Sequence, residues 1–139
     1  MRQEFFTLEI NTKGQKLYEF TEQTNKWISK FDFNNGILNL SILHTSASLI
    51  VQENADPDVQ KDLLNYFNKL VPMNTNLYVH TTEGKDDMPA HIKSALTNNQ
   101  ISLSIKNKEL LLGTWQGLYL FEHRLEKQCR KVLHHFIGN

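Results

Sequence analysis

The chain has 139 residues, about the size of one domain and enough to bury one core. Hydrophobic residues make up 40% and only three residues are proline, which excludes a disordered or collagen-like chain. Fifteen Lys and Arg balance fifteen Asp and Glu, so the chain lacks the basic excess with which nucleic-acid binders displace counterions. That balance argues against nucleic acid as a partner, apart from a local patch such as Arg124, Lys127, Arg130 and Lys131. Cys129 is the single cysteine, so no internal disulfide forms and no oxidising compartment is needed. In a strand-like segment it reads as a small buried residue. Met1-Arg2-Gln3-Glu4-Phe5-Phe6 has no apolar signal core and no run approaches a membrane span, so the expectation is a cytoplasmic protein without a membrane partner.

Phe6, Leu8 and Ile10 alternate with Thr7 and Glu9, which predicts a strand. Asn11-Thr12-Lys13-Gly14 reads as a turn and Gln15 to Phe20 as the returning strand. Thr21 is a predicted N-cap for a helix holding Trp27, Ile28 and Phe31, and Asn34-Asn35-Gly36 breaks the chain again. Gly36 to Val51 is the most strand-like stretch, with Leu38, Leu40, Ile42 and His44 on one face and an interruption at Ser46-Ala47-Ser48. Asp56-Pro57 opens a helix, Asp at the N-cap and Pro at the first helical position, with Val59, Leu63, Phe67 and Leu70 on one stripe.

Leu77 to His80 reads as a short strand and Thr81 to Asp87 as a polar loop. Met88-Pro89 starts another helix with Ile92, Ala95 and Leu96 inward. Ile101, Leu103 and Ile105 alternate, as do Leu118, Leu120 and Glu122, and finally Val132, His134 and Phe136 within Cys129 to Ile137. Strands outnumber helices and most connections are hairpin-length, which predicts an α+β fold with mainly antiparallel sheet in one domain, 1–139. No glycine-rich phosphate loop is present.

Residues fit for chemistry fall into three groups. His44-Thr45-Ser46-Ala47-Ser48, followed by Glu53, Asn54 and Asp56, places hydroxyls and backbone N–H groups at a strand end. These suit an anion, or they satisfy the strand break. His80, Glu83, Asp86, Asp87 and His91 gather imidazoles and carboxylates within twelve residues, suited to acid–base work or a divalent cation, although Asp87 is also placed to cap a helix. Gly113-Thr114-Trp115-Gln116-Gly117 forms a bend before Glu122-His123-Arg124, where Glu122 and Arg124 would share a strand face as an ordinary surface pair. His80, His91 and His123 come from different elements and form a candidate zinc donor set, though their spacing matches no compact zinc motif. His134 and His135 read as surface or partly buried residues.

The same blocks carry a resemblance. His44-Thr45-Ser46-Ala47-Ser48-Leu49, Glu53-Asn54, Asp56-Pro57 and Asp62 match the YjbQ-like family, also called the secondary thiamine-phosphate synthase family. So do His80, Glu83-Gly84, Asp86-Asp87-Met88-Pro89, His91-Ile92-Lys93-Ser94, the Gly113–Gly117 bend and Glu122-His123-Arg124. The likeness runs over nearly the whole chain. Departures are Lys108 and Gln100, where the family often has glycine and serine, and Thr81, where it often has an acid after the histidine.

The resemblance implies a β-sandwich with two to three helices assembled as a homotrimer, with a shared site near subunit boundaries. It also implies a weak thiamine-phosphate synthase (transferase) activity, joining hydroxymethylpyrimidine diphosphate to thiazole phosphate with loss of pyrophosphate. Under that reading His44, Glu53, Asp87, His91, Glu122 and Arg124 are the catalytic candidates, and Thr45, Ser46, Ser48 and Lys93 hold the phosphorylated substrate. His80, His91 and His123 are then the candidate ligands of a divalent metal, Zn or Mg. The alternative is a trimeric anion- or metal-binding module without turnover.

Overall fold

The computed structural model describes residues 1–139. Two antiparallel sheets carry the chain. The larger has the order β1 (Arg2–Lys13), β8 (Lys127–Gly138), β3 (Gly36–Ile42), β5 (Gln100–Lys106) and β6 (Glu109–Leu110). The smaller is β2 (Lys16–Glu19), β7 (Gln116–Glu122) and β4 (Ala47–Glu53). Three α-helices complete the fold: α1 (Thr21–Ile28), α2 (Pro57–Leu70) and α3 (Asp87–Leu96). The predicted α+β class with antiparallel sheet is what the chain adopts, and no helix is long and apolar enough to cross a membrane.

The two sheets face each other across the core. Leu38, Leu40, Val132 and Phe136 of the larger sheet meet Leu49, Leu118 and Leu120 of the smaller, with Trp27 and Ile28 of α1 packed alongside. The other face of the small sheet is also covered: Leu17, Tyr119 and Phe121 pack against Leu63, Leu64 and Phe67 of α2. β7 is therefore buried on both faces from Gly117 to Glu122. α2 starts as its sequence requires, with the Asp56 side chain accepting from Asp58 N–H at 2.9 Å and Pro57 in the first turn.

Several local expectations are corrected. β1 continues through Asn11 and Thr12, and the bend falls at Gly14 instead, at φ +93°. The reason is Thr12, whose buried hydroxyl donates to Glu122 Oε2 at 2.7 Å and is worth more in the strand than in a turn. Thr21 is the first helical residue and not the N-cap; its Oγ1 accepts from Leu118 N–H and bonds Glu19, tying α1 to the small sheet. Phe31 lies beyond the end of α1. Leu77 to His80 forms no strand: Asn74 caps a single 3-10 turn at Thr75–Leu77. Cys129 is exposed, and His134 is wholly buried, bonded to Thr24 Oγ1 at 2.9 Å.

The 36–51 stretch divides into two strands in different sheets. The chain leaves β3 after Ile42 and enters β4 at Ala47, so residues 43–46 cross from one sheet to the other and Ser48 is already in β4. α3 turns a polar face inward. Ala90, Lys93 and Ser94 are buried while Ala95 and Leu96 are exposed, because Ser94 Oγ donates to the Ala47 carbonyl and Lys93 Nζ to Asn68 Oδ1.

Gly36 has no room for a side chain. A Cβ there would stand 2.3 Å from the Ile137 carbonyl and 2.7 Å from the Phe136 ring. Gly36→Ala is expected to cost about 1–3 kcal/mol, read as a lower urea midpoint, because the obstructing atoms include backbone.

Candidate functional site

Four segments meet at one edge of the sandwich. They are the 43–46 crossover, the 80–86 loop, the first two turns of α3 and the loop that carries the chain from β7 of the small sheet to β8 of the large one. Asp87 lies at their centre, only 3% exposed. It does not cap its helix; the cap residue is Asp86, and no side-chain cap bond forms. Asp87 Oδ2 instead faces His80 Nε2 at 2.7 Å and His91 Nε2 at 3.2 Å, while Oδ1 accepts from Arg124 Nη1 at 2.5 Å. His91 lies four residues after Asp87, so one helical turn stacks the two on one face.

Arg124 is spent on this scaffold. Its Nε donates to Asp86 Oδ2 at 2.9 Å and its Nη2 to the Glu83 carbonyl at 2.9 Å. Glu83 Oε2 stands 3.0 Å from His80 Nε2. Asp86 Oδ2 also accepts from Leu125 N–H at 2.9 Å. Two carboxylates and the Glu83 carbonyl thus hold one guanidinium, while Asp87 Oδ2 and the Glu83 carboxylate face the His80 imidazole. Burial works against the charge on Asp87, but the His80 hydrogen bond and the Arg124 charge outweigh it and hold its carboxyl below the usual range. Asp86 is held low in the same way, burial being outweighed by the Leu125 N–H and Arg124. The Asp87 hydrogen bond raises the His80 pKa above its ordinary value.

The donor set fits a divalent cation, and His91 gives the structural reason. Its Nε2 faces Asp87 Oδ2, and its Nδ1 faces the Thr45 carbonyl at 3.0 Å. Both ring nitrogens therefore meet acceptors, and a neutral imidazole has one N–H to offer. A ring protonated on both nitrogens satisfies them as an ion pair with Asp87. A cation on the Nε2 side does so as well: Nδ1–H then donates to Thr45 O, the usual outer partner of a ligating histidine, and Nε2 turns its lone pair to the metal. His80, Asp87 and His91 each bring a ligand atom within 4.8 Å of the others. Two imidazoles and one carboxylate suit zinc better than magnesium, which prefers oxygen alone.

The other sequence candidates lie elsewhere. His123 is absent from the convergent group. It is 1% exposed and bonded to Ser48 Oγ at 2.9 Å, and its Nδ1 has no partner. Asp87 takes the place expected for it beside the other two histidines. Glu122 does not pair with Arg124 on a surface: it is wholly buried, held by Arg130 through Nε at 2.7 Å and Nη2 at 2.5 Å. Its one contact with Arg124 is the backbone N–H, which donates to Oε1 at 3.1 Å. Ser46 bonds Arg130, and Ser48 accepts from Thr97 as well as meeting His123, so both hydroxyls are engaged inside the protein. Burial pushes the Lys93 pKa down, and its ammonium is bonded to Asn68.

Glu53 pairs with Gln116 at the far end of β4, whereas Ala47 pairs with Glu122 at the near end. Six residues of strand separate Glu53 from the cluster end, about 20 Å. The Gly113–Gly117 bend sits at that far end too, where Asn54 N–H donates to the Trp115 carbonyl. His44 and Thr45 lie on the near side, lining a cavity of about 210 Å³ beside His91.

A family model described as UPF0047 protein YjbQ-like matches residues 6–139. The chain belongs to the YjbQ-like UPF0047 family. UPF0047 protein sll1880 of Synechocystis is 46% identical over 99% of this chain and 93% of that relative. UPF0047 protein YjbQ of Salmonella typhimurium is 41% identical over 91% and 92% of the two chains. Among solved structures, an uncharacterised YjbQ/UPF0047 protein of Clostridium acetobutylicum is 30% identical, covers 95% of this chain and 99% of its own, and superposes with a TM-score of 0.86. A conserved hypothetical protein of Thermus thermophilus is 31% identical over 92% and 97%, with a TM-score of 0.82. The YjbQ-like fold is shared with these structures.

Proposed function

We propose that this protein binds one zinc-like divalent cation through His80 Nε2, Asp87 Oδ2 and His91 Nε2, and uses it to hold a small phosphorylated or otherwise anionic ligand. The observation that supports this is the double engagement of His91, with Thr45 O fixing one nitrogen and Asp87 beside the other. Three protein ligands leave a fourth position for a ligand or water. A bound cation there would act as a Lewis acid on an oxygen of the ligand. Arg124, held by Asp86, Asp87 and the Glu83 carbonyl, would keep the carboxylates in place and make little direct contact with substrate.

The finer form of this reading is the transferase reaction, thiamine-phosphate synthesis with loss of pyrophosphate, in a cytoplasmic homotrimer of single-domain chains. Phe5 and Ile37, 60% and 55% exposed on the outer face of the large sheet, supply apolar surface for such assembly. The alternative remains a binding module that holds its ligand without turnover.

Chelator-treated protein titrated with zinc is expected to bind one equivalent per chain and to gain about 2.7 kcal/mol of stability at a hundredfold excess over Kd. Asp87→Asn should weaken zinc binding at least about 100-fold, beyond the range typical of outer-partner mutations. A wild-type protein indifferent to zinc, or a variant that binds it equally well, contradicts the reading. If zinc binds and the zinc-loaded protein makes no thiamine phosphate, the transferase form alone is lost.

A further inference from the structure

We infer that the cavity between the 43–46 crossover and α3 is a subsite for a small oxyanion, the phosphate or carboxylate end of the ligand; this rests on the cation reading above. The cavity measures about 210 Å³ and is lined by His44, Thr45, His91, Ser94, Ala95 and Asn99. None of these residues is a carboxylate. Glu83, Asp86 and Asp87 are committed around His80 and Arg124, and Glu122 is paired with Arg130.

His44 supplies an uncommitted donor at the cavity wall. Lys131 N–H donates to His44 Nε2 at 2.8 Å, so that nitrogen carries the lone pair and the ring proton sits on Nδ1. Nδ1–H makes no hydrogen bond within the protein, while its ring lines the cavity. Arg130, Glu122 and Lys131 all stand close enough to His44 to act on its charge, and because Glu122 pairs with Arg130 the unpaired charge on this side is that of Lys131. Thr45 and Asn99 add a hydroxyl and an amide; Ser94 is fixed as wall by its bond to Ala47 O. His91 belongs both to the cavity and to the cation group, so a bound oxyanion would sit beside the metal.

Size sets the ligand class. At roughly 30 Å³ per water the space holds several waters. It falls below the about 300–1,000 Å³ of sites that enclose a drug-sized ligand, so it accepts a phosphate or carboxylate group and leaves the remainder of a larger molecule outside. No lining residue is a permanent cation, so tight binding needs the neighbouring metal. By linkage, phosphate and zinc must then raise each other's affinity by the same factor.

Calorimetric titrations with inorganic phosphate, and separately with acetate, on zinc-loaded and zinc-free protein test this. Phosphate is expected to bind at least tenfold more tightly with zinc present, and acetate more weakly than phosphate. His44→Ala should weaken phosphate binding about tenfold or more with zinc affinity unchanged, and His44→Gln, which keeps an N–H donor, should recover part of the loss. Zinc binding with no effect of phosphate, or phosphate binding indifferent to His44, overturns the subsite and leaves the cation reading intact. His44-dependent phosphate binding without any zinc binding does the reverse, and neither ligand binding overturns both.

Discussion

Arg130→Met is expected to cost about 3–5 kcal/mol of folding stability, the range for removing one partner of a buried ion pair. Arg130 is 3% exposed and Glu122 fully buried. The carboxylate accepts four hydrogen bonds: two from Arg130, one from the Thr12 hydroxyl and one from Arg124 N–H. Methionine leaves Glu122 charged in the interior with two neutral donors. The penalty belongs to the orphaned charge, so the double variant Arg130→Met, Glu122→Leu should recover much of it. Urea unfolding of the two single variants and the double closes the cycle. A loss below about 1 kcal/mol in Arg130→Met would show the pair to be marginal.

The pair sits where the fold needs a clamp. Arg130 is on β8 and Glu122 on β7, so it joins the two sheets, and Thr12 adds β1. Its outer contacts reach the candidate site from both sides. Glu122 Oε1 holds the Arg124 backbone, while Arg130 Nη2 holds Ser46 through its carbonyl at 3.2 Å and its hydroxyl at 2.9 Å, one residue from the Thr45 carbonyl that faces His91. Loss of Arg130 should therefore loosen the site as well as the fold.

Much of this was written in the periodicity. The alternation that places Val132, His134 and Phe136 inward on β8 also places Arg130 inward, and followed two residues back it marks a buried arginine that requires an acid. Reading Glu122 with Arg124 failed because β7 ends at Glu122, and beyond a strand end the period of two no longer governs. His44 was legible as a polar residue at a strand end, but the passage between sheets at 43–46 depends on which strands pair, a long-range choice. The cluster of His80, Asp87 and His91 was visible as composition because it is local. His123 was misplaced because its burial against Phe121 of β7 and Ser48 of β4 depends on which strands pair, again a long-range choice. The inward polar face of α3 contradicts an apolar-stripe reading, because Lys93 and Ser94 find partners on α2 and β4.

Two buried histidines make the fold sensitive to acid. Burial lowers the His123 pKa to about 3, with Lys93 and Arg130 adding positive charge nearby, and lowers His134 to about 4 against the opposing Val132 carbonyl. Both are neutral at pH 7, in the folded and the unfolded chain alike. Between the unfolded value of about 6.5 and those depressed values, the unfolded chain takes up protons that the native one refuses, so stability falls as pH falls. Each histidine contributes a slope approaching about 1.4 kcal/mol per pH unit, and the loss at pH 4 is about 3 kcal/mol each, a large part of a typical domain's 5–15. The other shifted groups do not cancel this. His80, raised by Asp87, adds stability that is full below pH 6.5 and is lost as pH rises through its folded value, but it is solvent-accessible and screened. Asp86 and Asp87, held low, lose their contribution only below pH 4. Urea midpoints of metal-free protein at pH 7, 6, 5 and 4 should decline steeply, and His134→Gln should about halve the slope whatever its effect at pH 7. A midpoint flat from pH 6.5 to 4 would show that these imidazoles take up protons in the native state and would overturn this account.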